Sequence, residues 1–244
     1  MKRIDLNCDM GEGMSHDAAL MPLITSANIA CGFHAGNGDL IRRTIDLALH
    51  YHVHIGAHPS FRDRENFGRK EMLISDEKLY AIVIEQLIKI DLVAREMGAT
   101  MHHVKPHGAL YNMAARDPDI AAVIVQTIKD FNEDLIVYGL SGSHLISEAK
   151  AAGLKTASEV FADRSYQDDG SLTPRNREGA LITDEEKSVG QVLQMLNGTV
   201  TTISGKIIPI EAETICLHSD GVHALAFAKR IHQALQDHHL AASI

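Results

Sequence analysis

Tryptophan is absent from this 244-residue chain, aromatic residues make up only 5% of it, and there are six prolines and three cysteines. Each scarcity excludes something. Cys8, Cys31 and Cys216 are odd in number, far apart and without C-x-x-C spacing, which excludes a disulfide framework and a cysteine-built zinc or redox centre. They read as small buried thiols. No apolar run approaches the roughly 18 residues that cross a bilayer. The opening "MKRIDLNCDM" carries charge with no apolar signal core behind it, so a cytoplasmic location is expected. Lysine and arginine number 23 against 32 aspartates and glutamates, giving a formal charge of -9 and no basic run. That balance excludes nucleic acid as a natural partner. No Ser/Gly/Pro-rich linker divides the chain, and its length suits one α/β barrel of about 200 to 250 residues, so one domain over residues 1–244 is expected. Neither G-x-G-x-x-G after the first strand nor G-x-x-x-x-G-K-[ST] occurs, which argues against a dinucleotide fold and a P-loop.

What is present is alternation. Short apolar runs recur as "RIDLNC", "SANIACG", "VHIGAH", "MHHVKP", "LIVYGL", "KTASEVF" and "TICLHS". Helical patterns separate most of them. Residues 76 to 97 place Leu79, Ile82, Val83, Leu87, Ile90, Val93 and Met97 at helical spacing, with Gly98 as terminator. Asp117 and Pro118 open a helix running to about Phe131. Thr183 with Glu186 forms a capping box ahead of a helix through Leu196. The last helix puts Leu225, Ala228, Ile231 and Leu235 on one side. Such alternation means parallel strands joined by right-handed crossovers. A (β/α) barrel is expected, seven-stranded and TIM-like but distorted, with a small hairpin inserted at residues 200–210, "VTTISGKIIPI".

Strand side chains alternate between two faces, so parity sorts each run. Ile4, Leu6 and Cys8 form an apolar set that suits helices, leaving Asp5 and Asn7 to point into the barrel. His103 and Lys105 share a side opposite Val104; His54 and His58 oppose Ile55 and Ala57; Cys216 and His218 oppose Ile215 and Leu217. A charge held from water without a partner is strongly destabilising, so Asp5, Lys105 and Glu159 must meet one another or a ligand. For Asp5 alone, a structural role and a catalytic one are both open. The carboxyl ends of barrel strands carry the chemistry of such folds. Asn7, Asp9, His34, His58, Lys105, His107 and His218 therefore make one candidate site. His50, His52, His232, His238 and His239 fall in helices or tails and read as surface, while His16, His102, His144 and His223 are left unassigned.

Two irregular segments add positive charge in an acidic protein. "PSFRDRENFGRKE" contributes Arg62, Arg64, Arg69 and Lys70, and "FADRSYQDDGSLTPRNREGA" contributes Arg164, Arg175 and Arg177. Guanidinium forks suit phosphate or carboxylate, so an anionic substrate or nucleotide is expected there.

"DLNCDMGE", "ANIACGFHAG", "GAHPSF" with "FGR", "VKPHGALYN" and "EVFADRSY" with "PR" resemble the signature segments of the LamB/YcsF family, whose members form the A component of bacterial 5-oxoprolinase. The resemblance implies a barrel related to the polysaccharide deacetylase superfamily and ATP-dependent opening of 5-oxo-L-proline (pyroglutamate) to L-glutamate, with Mg²⁺ as co-ion of ATP and two partner subunits. A homo-oligomer is compatible with it. "CLHSDGVHA" departs from the family pattern, which has glycine before the aspartate at Asp220. Within that frame Asp9, Lys105 and His107 are the catalytic candidates: Lys105 and the loop arginines neutralise phosphoryl charge, and Asp9 or His107 takes a proton from water. Asn7, His34, His58, Arg69, Glu159, Arg164 and Arg175 are the candidates for holding substrate or ATP.

Two other readings stay open. A metal-dependent amide hydrolase or deacetylase would use Asp9, His34 and His58 as ligands, with the charge of Lys105 standing against a nearby cation. A barrel that binds a small acid and mainly supports its partners would show binding without turnover.

Overall fold

The computed structural model describes residues 3–218, 224–238 and 241–242. Asp220, His223 and His239 lie outside the described residues. In chain order the elements are β1 (Arg3–Met10), α1 (Asp17–Leu20), a 3-10 turn (Met21–Leu23), β2 (Ser26–Ala30), α2 (Gly38–His50), β3 (His54–His58), α3 (Asp76–Glu96), β4 (Met101–Val104), α4 (Gly108–Arg116) and α5 (Pro118–Phe131). There follow β5 (Ile136–Leu140), α6 (His144–Ala151), β6 (Thr156–Phe161), α7 (Glu185–Leu196), β7 (Thr199–Thr201), β8 (Ile207–Pro209), β9 (Thr214–Leu217), α8 (Ala224–Asp237) and β10 (Ala241–Ala242). Strands β1 to β6 and β9 pair in parallel in that order, and β9 returns to β1 with Asp5 opposite Thr214 and Cys8 opposite Leu217. The result is the closed seven-stranded barrel expected from the alternation, with β10 added beside the start of β1.

Parity explains which face each residue takes. Ile4, Leu6, Cys8 and Met10 are buried outward from the barrel among apolar residues that include Ile45, Leu87 and Ile231 of the helices. The inward set is polar, and glycine makes room for it. A Cβ on Gly56 would stand 2.1 Å from His103 Nε2, so only glycine lets that imidazole lie across the barrel interior. The ring stacks on Tyr138 at 4.2 Å and bonds Asn28 Oδ1 at 2.8 Å.

The helix ends follow local chemistry with one correction. Asp117 caps α5 by accepting from Asp119 and Ile120 amides, with Pro118 in the first turn. Gly98, at φ +75°, stops α3. For α7 the cap is Asp184 rather than Thr183: its carboxylate accepts from the Lys187 amide at 2.8 Å. Aspartate is the better cap, and its charge suits a helix N-terminus. Glu186, expected to fold back as the box partner, instead pairs with Arg230 on α8 at 2.7 Å.

Strands β7 and β8 form an antiparallel ribbon. Its tip braces the loop after β6, because Thr202 and Ser204 both donate to Asp168 at 2.6 Å and the Ile203 amide donates to Tyr166 O. That loop carries Arg164 and Arg175. His50, His52, His144 and His238 are exposed, whereas His16 and His232 are half-buried. Among the described residues no helix is long and apolar enough to cross a membrane.

Candidate active site

The strand ends converge on Lys105, the first residue past β4. Its side chain is 3% exposed, and its ammonium lies 2.9 Å from Asp9 Oδ1 and 2.8 Å from Glu159 Oε1. Asn7 Oδ1 at 3.2 Å and Cys216 Sγ at 3.1 Å complete the shell. Three protons cannot serve four acceptors in line, and Glu159 Oε1 takes the ion pair without hydrogen-bond alignment. Burial alone would lower the lysine pKa, yet Asp9, Cys216 and Glu159 raise it well above its ordinary value. Burial likewise opposes ionisation of Asp9, but His58 and Lys105 hold that carboxyl well below the usual range. Both groups stay charged.

A ladder of hydrogen bonds runs from this pair down the barrel. Asn28 donates to Asp9 Oδ1 at 2.9 Å and to Asn7 Oδ1 at 2.7 Å; Asn7 donates to Thr214 at 2.6 Å; Thr214 donates to Asp5. Asp5 also accepts from Ser26 and Thr25. It therefore meets hydroxyl groups rather than Lys105, contrary to the expectation that the three charges gather. On the other side, Tyr111 donates to Glu159 Oε2 at 2.6 Å, fixing the second carboxylate.

Beside Asp9 stand three histidines. His34 and His107 stack at 3.8 Å, and His58 meets both edge-on. Desolvation pushes His34 down to about 2 and His107 well below its ordinary value. The turn that covers them is strained: Phe67 has φ 55° and Gly68 has φ 65°. A Cβ on Gly68 would lie 2.8 Å from His34 Cβ, so this approach needs glycine.

These groups open on a cavity of about 740 Å³. Of the expected residues, Asp9, His58, Lys105 and His107 line its floor, while Arg69, Arg164 and Arg175 line its wall. Asn7, His34 and Glu159 stand behind them. Arg164 is buried, donates to Thr173 O at 2.6 Å and has an Nε with no hydrogen-bond partner. Burial and the neighbouring Arg175 lower its pKa to about 10. A buried guanidinium in that state is suited to an anion. Arg62 instead pairs with Glu85, and Arg64 holds the carbonyls of Gly32 and Gly36, so neither they nor Arg177 line the cavity.

The chain matches the LamB/YcsF family over residues 4–243. It belongs to that family. A relative from Histophilus somni (strain 129Pt), named as the A component of 5-oxoprolinase, is 51% identical over 97% of this chain and 96% of its own. The crystal structure of a lactam utilization protein from Thermus thermophilus superposes with a TM-score of 0.92 at 38% identity, covering 99% of both chains. A candidate cellobiose-phosphate cleavage protein from Enterococcus faecalis V583, 12% identical with a TM-score of 0.63 over 98% of this chain and 96% of its own, shares the fold.

Four site residues escaped the sequence reading. Glu12 lies just past β1 in the quoted "DMGE" and bonds His34 Nε2 at 3.0 Å. Tyr111 sits four residues after His107, one turn into α4, a spacing that could have paired them. Asp163 orients His218 through Nδ1 at 2.8 Å. Phe161, at the end of β6, stacks on His218. Of the ligands named by the metal-hydrolase reading, His34 and His58 cluster with Glu12 and His107, while Asp9, 3.4 Å from His58 Nε2, clusters with Cys216 and His218.

Proposed function

We propose that this chain carries the lactam-opening site of an ATP-dependent 5-oxoprolinase, converting 5-oxo-L-proline to L-glutamate together with two partner subunits. The observation that carries the reading is the buried Lys105 held between Asp9 and Glu159 at the floor of an arginine-walled cavity. The name of the Histophilus relative supports it.

A five-membered lactam is a poor electrophile. Transfer of the γ-phosphoryl group of ATP, carried with Mg²⁺, to the carbonyl oxygen makes the ring carbon attackable. Water adds there, the ring C–N bond breaks with the amine taking a proton, and a second water releases phosphate from the acyl phosphate. Lys105 sits to balance negative charge on the carbonyl oxygen, and Arg164 and Arg175 to hold the carboxylate or phosphate groups. His107, kept neutral by burial, and Asp9, kept ionised, are the proton acceptors facing the cavity. Asn7, His34 and His58 position these groups.

The test mixes the chain with its partner subunits, ATP and 5-oxoproline and follows glutamate and phosphate. Turnover that drops at least a hundredfold in Lys105→Ala and Asp9→Ala supports the reading. Near-normal turnover in either variant removes it, and binding of 5-oxoproline without any turnover by the assembled subunits favours a supporting role instead.

A further inference from the structure

The outer nitrogens of the three histidines each touch a fixed partner. His58 Nδ1 lies 2.7 Å from the carbonyl oxygen of Lys105, and His107 Nε2 lies 2.9 Å from that of Phe67. A carbonyl only accepts, so both nitrogens carry their hydrogens there. The Ser60 hydroxyl lies 2.8 Å from His34 Nδ1 and 3.0 Å from Phe61 O. The remaining ring nitrogens, His34 Nε2, His58 Nε2 and His107 Nδ1, face inward. They point at one another and at a carboxylate. His107 Nδ1 stands 2.9 Å from His58 Nε2, and Glu12 Oε1 stands 3.0 Å from His34 Nε2 and 3.5 Å from His107 Nδ1.

These four donor atoms lie within 4.8 Å of one another. A tetrahedral sphere with bonds of about 2.1 Å has ligand separations of about 3.4 Å, inside that span. Each ring donating its far N–H to a backbone carbonyl or a hydroxyl is the arrangement that orients histidine ligands around a metal. Strain at Phe67, which presents one of those carbonyls, is consistent with a geometry held for a ligand. Because Lys105 is already matched by Asp9 and Glu159, its charge no longer opposes a neighbouring cation.

We propose that Glu12, His34, His58 and His107 bind one divalent first-row transition-metal ion, with zinc as the reference case. Three imidazoles and a carboxylate suit such an ion. Glu12, His58 and His107 face the cavity, so water or substrate can add as a fifth ligand. In that state His107 is a ligand, and Asp9 is the proton acceptor that remains. The inference goes beyond the 5-oxoprolinase reading and does not depend on it, because binding is measured on the chain alone.

The full-length chain, stripped with chelator and checked by circular dichroism, is titrated with zinc chloride by calorimetry. One ion per chain is expected. Glu12→Gln and His34→Gln weaken binding at least a hundredfold, Ser60→Ala weakens it roughly tenfold to a hundredfold by freeing His34, and Cys216→Ser leaves it unchanged. Absence of saturable zinc binding by the wild type overturns the proposal. So does full affinity in folded Glu12→Gln and His34→Gln, or loss in Cys216→Ser, which would place the ion with Asp9 and His218. Should a variant fail to fold, the cobalt(II) spectrum of the wild type decides. Visible d–d bands without thiolate charge transfer uphold the site, and a thiolate band refutes it.

Discussion

Replacing Lys105 by methionine keeps the length of the side chain and removes its charge. Asp9 Oδ1 and Glu159 Oε1, at 2.9 and 2.8 Å from the ammonium, then lose their common partner in a site closed to water. Removing one member of a buried ion pair costs about 3–5 kcal/mol, because the other member is left charged and desolvated. For a chain of this length each kcal/mol moves Tm by roughly 2–4 °C, so a drop on the order of 10 °C is expected at neutral pH. The pH dependence supplies the sharper check. In the wild type the folded pKa of Asp9 is depressed, so its stabilisation is present above the unfolded value near 4 and is lost as pH falls through the folded value. In Lys105→Met burial works against ionised Asp9 with one opposing charge fewer, and protonation of Asp9 on acidification relieves the penalty. The gap between variant and wild type should thus narrow as pH falls from about 7 to about 4. Differential scanning calorimetry across that range measures it, and adding Glu159→Gln to Lys105→Met should recover part of the loss. A Tm within about 2 °C of wild type, or a gap that widens in acid, refutes the account of Lys105 as a compensated buried charge.

Gly56→Ala should lose about 3 kcal/mol in urea denaturation, because the new methyl meets the His103 ring and breaks its bond to Asn28. Arg164→Met should raise KM for the anionic substrate roughly tenfold with a smaller change in kcat, as steady-state assays of the assembled subunits would show. Asp163 is held below its ordinary pKa: burial opposes this, and His218 outweighs burial. Its contribution is therefore present above the unfolded pKa of about 3.9 and lost as pH falls through the lower folded value. Asp163→Asn should flatten the acid limb of the urea midpoint against pH while weakening the protein near neutrality.

Period-two alternation and punctuation made the barrel legible, since strands such as "TICLHS" and "LIVYGL" announce both their limits and their faces. Height along the barrel was not legible. Asp5 and Asp9 share parity, but four residues of strand separate them by about 13 Å. One meets Lys105, and the other meets Thr25, Ser26 and Thr214 at the opposite end. Strand stagger decides this, and stagger belongs to the closed sheet rather than to any single run. Loop residues were legible only in part for a related reason. Arg62, Arg64 and Arg69 occupy one short segment, yet only Arg69 reaches the cavity, because the turn at Phe67 and Gly68 redirects the chain. Glu12 and Tyr111 lay inside segments already singled out, and their partners became visible only when β1, the loop after β2 and α4 met.

The buried charges argue for chemistry more strongly than for stability. An ion pair taken out of water returns little net free energy against apolar residues of similar volume, so a barrel needing only to stay folded gains nothing from Lys105 between two carboxylates. The histidines sharpen the point. Three rings whose outer nitrogens are held by backbone or hydroxyl partners aim their remaining nitrogens at one another and at Glu12. Such a set is well suited to a cation, a proton in transit or an electrophile. Strain at Phe67, close approach at Gly68 and the tie from Tyr111 to Glu159 all hold that polar floor in one geometry beneath the arginine wall. Fixed dipoles and charges of this kind do not have to reorganise when charge develops on a substrate, which is the property a lactam-opening site requires.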